Sequence, residues 1–162
     1  MTAAQTASQR GKANRTRGHQ AERDVCKYLR ANGWPHAERA VRAGFAVSSR
    51  SVADPGDITG TPGLTWSVKD CVREYIDTWM DELDDMCDHA TTVSTLGLLV
   101  VKRRGRADPG QWWCWLADTA LTTLADGMRG DDVHSFGFGV PIRMELRHAV
   151  MYLRGAGYGD PS

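Results

Sequence analysis

Apolar side chains follow two periods along this chain. Ala21, Val25, Tyr28 and Leu29 recur at helical spacing and Gly33 follows as a C-terminal cap, which predicts a helix over residues 19–32. Ile76, Trp79, Met80, Leu83, Cys87 and Ala90 make a second helical stripe, and Leu146, Ala149, Val150 and Leu153 mark a last helix ending at Gly155. Between these, Leu64, Trp66 and Val68 alternate with Thr65, Ser67 and Lys69, the period-two pattern of a strand with one apolar and one polar face. Leu96 to Val101 is continuously apolar, as in a strand buried on both faces, and Trp112 to Ala117 predicts another strand.

Turn chemistry divides these segments. Residues 37–43 suit a short strand. Asp54-Pro55-Gly56-Asp57 turns into Ile58 and Thr59, and Thr61-Pro62-Gly63 turns again before Leu64, so residues 57–69 are expected to form a hairpin. Asp118 can cap a short helix reaching about Gly127. Residues 130–141 are rich in turn formers, with Phe136 and Phe138 on a possible short strand. Residues 1–18 have no apolar periodicity and are expected to be a flexible basic arm. The order of helix, three strands, acidic helix, two strands and helical additions predicts an α/β fold with a mixed β-sheet flanked by helices. A core spanning 19–117 and a helical extension over 118–162 form one domain, in keeping with 162 residues of which 41% are hydrophobic.

Charge changes this picture through its distribution. The formal net charge is zero, yet the charged residues up to Ala21 are Arg10, Lys12, Arg15 and Arg17, and Lys102, Arg103, Arg104 and Arg106 form a second basic group. Glu74, Asp77, Asp81, Glu82, Asp84, Asp85 and Asp88 run without an intervening base. Either these are solvated faces, or the segregation leaves a basic surface for a polyanion. Cys26, Cys71, Cys87 and Cys114 show neither a CxxC pair nor zinc-finger spacing, so buried free thiols in a reducing compartment are expected. With no signal-like leader and no membrane-spanning apolar run, the sequence is expected to be cytoplasmic.

Hydrolysis of a phosphodiester with a divalent metal requires hard oxygen ligands and a nearby cation. Asp57 follows a Pro-Gly turn, Lys69 lies near the end of the next strand on its polar face, and Glu22 borders the apolar stripe of the first helix. With Pro55-Gly56-Asp57-Ile58, Trp66-Ser67-Val68-Lys69 and the helix and strand that follow, residues 18–117 resemble the PD-(D/E)xK nuclease superfamily. The Lys102–Arg106 run before Asp108-Pro109-Gly110 and a Trp-rich strand resembles the phage Holliday junction resolvases within it. The resemblance implies a restriction-endonuclease-like core and a homodimer acting on branched or double-stranded DNA with Mg2+ or Mn2+. Asp57, Glu22 and the Val68 backbone carbonyl would hold metal, and Lys69 would orient the attacking water. Arg10, Lys12, Arg15, Arg17, Arg39, Arg42, Arg50, Lys102, Arg103, Arg104 and Arg106 would grip phosphates.

One position departs from the family. Ser67 stands where the motif has an acid, and it shares the strand face of Lys69. A hydroxyl is an uncharged, weak ligand, Asp70 points to the opposite face, and Asp54 would have to fold back from its turn. The alternatives are a weaker metal site, a decayed site on a non-catalytic DNA-binding or scaffold protein, or an introduced inactivating substitution. The plainer reading of the same residues pairs Glu22 with Arg23 or Lys27 on a solvated helix and leaves Lys69 and Asp70 at an exposed strand end.

Overall fold

A four-stranded sheet in the order β3-β4-β5-β6 organises the molecule, seen in a computed structural model that describes residues 7–40, 56–88, 96–125 and 138–160. β3 (Leu64–Lys69) runs parallel to β4 (Leu96–Val101), which is antiparallel to β5 (Trp113–Ala117), itself antiparallel to β6 (Pro141–Glu145). A parallel pair needs a crossover, and α2 (Ile76–Asp88) lies within it. The fold is therefore mixed α/β, with helices on both faces of a mixed sheet.

Strand alternation sorts the core into two layers. Leu64, Trp66 and Val68 of β3 join Leu98, Val100, Cys114 and Leu116 against α1 (Ala7–Ala31), α3 (Asp118–Ala125) and α4 (Leu146–Gly155). On the other face Leu99 and Val101 are sealed by Trp79, Met80 and Leu83 of α2. Gly97 admits that helix: a Cβ there would lie 2.8 Å from the Leu83 side chain and 3.0 Å from Cys87 Sγ.

Several expectations are corrected. The first helix begins at Ala7 instead of near residue 19, so the described part of the basic arm is helical. Its Ala, Gln, Arg and Lys residues favour helix without burying a face, and this is why periodicity misses it. Residues 57–69 are not a hairpin. β2 (Ile58–Thr59) pairs antiparallel with β1 (Glu38–Arg39), while the chain at Gly56 runs parallel beside Trp66 of β3. Gly60 makes this route possible: at φ +75° its Cα faces the His36 carbonyl so closely that any Cβ would collide with it. The polar face of β3 is buried, because α2 covers Thr65 and Ser67.

The C-terminal extension is not only helical, since β6 completes the sheet and α4 enters the main core. Its alternation was hidden by Pro141, Arg143 and Glu145. Phe138 precedes β6 and is exposed, whereas Phe136, Asp54, Arg42, Arg50 and residues 41–43 lie outside the described residues.

Candidate functional site

Asp57 occupies the open edge of β3. Its N–H donates to the Trp66 carbonyl at 2.7 Å, and its Oδ2 accepts the Val68 N–H at 2.7 Å. Gly56 allows this approach: it has φ +79°, and a Cβ would sit 2.5 Å from the Trp66 carbonyl oxygen. In a strand the N–H and C=O of one residue point the same way, so the Val68 carbonyl also faces the edge that Asp57 lines. The backbone of Lys69 faces inward instead, its carbonyl accepting the Lys102 N–H at 2.9 Å.

Glu22 is linked to this corner through Arg39. The two side chains form an ion pair at 3.4 Å, both mostly buried, and Arg39 stands opposite Ile58, the neighbour of Asp57, in the β1–β2 ladder. Arg39 thus meets a carboxylate of its own chain, 17 positions earlier in sequence. Lys69 reaches toward α2, where Nζ lies 3.5 Å from Glu82 Oε2 and 5.7 Å from the Trp79 ring centroid. Ser67 points the same way as Lys69, as its spacing predicts, but is only 2% exposed. A carboxylate there would be enclosed by α2, with a desolvation cost that an open cleft would not impose. Asp70, on the opposite side of the strand end, pairs with Lys102 at 3.5 Å.

As a donor set for a hard cation, Asp57, Glu22 and the Val68 carbonyl have the right chemistry, since all present oxygen. Among the described residues no three His, Cys, Asp or Glu side chains converge, so such a set draws on backbone as well as carboxylate oxygen. The structure thus brings Asp57 and Val68 into direct contact, ties Glu22 to their corner through Arg39, and directs Ser67 and Lys69 to the α2 side.

Apart from Arg39, the described members of the predicted basic set separate into two groups. Lys12, Arg15 and Arg17 project into solvent from α1, on which Arg10 also lies. Lys102 packs 5.2 Å from the Trp112 ring centroid, Arg103 pairs with Glu145 at 3.2 Å, and Arg104 and Arg106 are exposed in the β4–β5 connection. Arg143 and Arg147, which sequence reasoning did not single out, join Arg103 beside Trp113 and Glu145. The Arg-x-Glu-x-Arg spacing from 143 to 147 is their only local signal. Of the cysteines, Cys26 and Cys114 are buried free thiols, and burial pushes them up to about 11 and about 12 respectively. Cys71 is exposed and Cys87 half-buried.

Comparison of the chain with protein-family models, with curated proteins and with solved structures gives no match. No described helix is long and apolar enough to cross a membrane.

Proposed function

We propose that this protein is a structure-selective, divalent-metal-dependent endonuclease with a restriction-endonuclease-like core, acting as a homodimer on branched DNA in the manner of the phage Holliday junction resolvases. The observation that carries this reading is the Asp57 carboxylate on the open edge of β3, directly bonded to Val68 and one residue from Lys69 along the strand. Asp57, the Val68 carbonyl and Glu22 would hold Mg2+ or Mn2+. When bound, the cation supplies Lewis-acid polarisation of the scissile phosphate. Lys69 exchanges its contact with Glu82 for the attacking water or the charge that develops on the phosphate, a modest rearrangement because an exposed ion pair is worth only about 0–1 kcal/mol.

A second reading keeps the fold and the DNA but not the reaction. It is favoured by the burial of Ser67 beneath α2, which leaves no acid on the face of Lys69 at that position.

The test is manganese-dependent nicking of a labelled four-way junction. Asp57→Asn is expected to reduce nicking roughly a hundredfold or more and to leave junction binding intact, because removing a negative charge does not weaken attraction for phosphate. Equal nicking by the variant and the parent would overturn the assigned site. A parent that binds the junction without nicking it selects the non-catalytic reading.

A further inference from the structure

Three arginines from two separate parts of the chain meet at one end of the sheet. The Cζ atoms of Arg103 and Arg143 lie 4.1 and 4.4 Å from the Trp113 ring centroid, and that of Arg143 lies 5.5 Å from the Trp115 centroid. Glu145, directly opposite Trp113 in the ladder, pairs with Arg103 at 3.2 Å and with Arg147 at 2.6 Å. One carboxylate therefore pairs with two guanidinium groups while a third, that of Arg143, lies over the same indole, and Arg104 and Arg106 add exposed charge from the adjoining connection.

Such an arrangement is costly unless an anion completes it, because like charges held close repel one another. Stacking on indole fixes the plane of a guanidinium while leaving N–H donors at its rim, the geometry that accepts phosphate oxygens in pairs. The acids of α2 divide along the helix, and Glu82 lies at this end, 3.5 Å from Lys69 Nζ. Leu83 and Cys87 of α2 pack over Gly97 near the start of β4, so Asp84, Asp85 and Asp88 belong to the far end of the sheet. The arginines stand at the end where β3 and β4 finish, and a single row of register partners, Lys69, Val101, Trp113 and Glu145, crosses the sheet there. Three strand spacings separate Lys69 from Glu145, about 14 Å. This is roughly four base-pair steps of a duplex.

We infer that Arg103, Arg143 and Arg147, gathered around Trp113 and Glu145, form a preorganised clamp for the phosphodiester backbone of DNA. The inference rests on the reading above in taking DNA as the polyanion, and it requires no cleavage. Trp113 here holds the two arginines and does not stack a base. The clamp binds a strand a few nucleotides from the Asp57 edge and so sets how DNA lies across it.

The protein is titrated with a fluorescein-labelled four-way junction in EDTA over a range of salt concentrations. The double variant Arg143→Gln/Arg147→Gln is expected to bind roughly tenfold or more weakly and to lose about 1.8 units of salt slope, at about 0.9 per phosphate contact. Arg143→Lys keeps the charge but loses the planar fork, so it should weaken binding while leaving the slope nearly unchanged. Matching near-ultraviolet circular dichroism and unfolding midpoints certify that the variants are folded. A folded double variant with parental affinity and slope overturns the clamp, as does a parent that binds no DNA. A double variant that loses self-association in sedimentation but keeps its DNA affinity also overturns it, and assigns the face to the acidic α2 of a second copy. Clamp-dependent binding without nicking removes only the nuclease reading; nicking by a protein whose binding ignores these substitutions removes only the clamp.

Discussion

On one face of the sheet Trp66, Val68, Leu98, Val100, Cys114 and Leu116 meet α1, α3 and α4 as an apolar layer. On the other, Leu99 and Val101 are covered by α2, while Ser67, Lys69, Trp113, Arg143 and Glu145 share the strand face with them. The first face needs only shape and apolar area, which nearly any close-packed set of side chains supplies. The second mixes indole, guanidinium and carboxylate groups, and each charge there needs a specific partner: Glu82 for Lys69, and Glu145 for Arg103 and Arg147. The apolar layer thus secures the fold, and the mixed face and its edges carry the groups that can meet a ligand.

The sharpest test of this contrast replaces one tryptophan on each face. Trp66→Ala removes a fully buried side chain and should destabilise the protein by about 3–5 kcal/mol. Trp113→Ala removes a half-buried one and should cost no more than about half as much. Urea unfolding measures both, and equal losses would mean that the two faces do not divide the work in this way.

At the β3 edge a smaller effect separates structure from chemistry. Asp57→Ala leaves the Val68 N–H without its acceptor and should cost about 1–3 kcal/mol, whereas Asp57→Asn retains an acceptor oxygen and should cost less than half of that. If unfolding shows the two substitutions to be equally destabilising, the carboxylate is not serving as a backbone tie.

The smallest expected effect concerns how β6 is attached. Backbone N–H groups of Phe138, Thr119, Val140 and Gly139 hold the Asp118 carboxyl below its usual range. Because the folded value lies below the unfolded one, this stabilisation is present above about pH 3.8 and is lost as the pH falls through the folded value. Asp118→Asn should therefore flatten the acid limb of a plot of melting temperature against pH, and should change the melting temperature least at the acid end, where the carboxyl is protonated in both states. An unaltered acid limb would show that these bonds do not contribute in solution.

Much of this protein is determined by its sequence alone. Period-two alternation in Leu64–Lys69, the continuous apolar run of Leu96–Val101 and the stripes of α2 and α4 announce the elements that form the core, because burial of a face imposes its period locally. The Pro-Gly turn ahead of Asp57 likewise marks a carboxylate that the structure joins to Val68. Other features needed the tertiary structure. Pairing of β2 with β1, enclosure of Ser67 beneath α2, entry of β6 into the sheet, and the meeting of Arg103 with Arg143 and Arg147 join residues far apart in the chain. Side-chain period tells which face of an element is buried but not which element covers it. A charged residue carries even less local information, since its place is decided by the partner that reaches it.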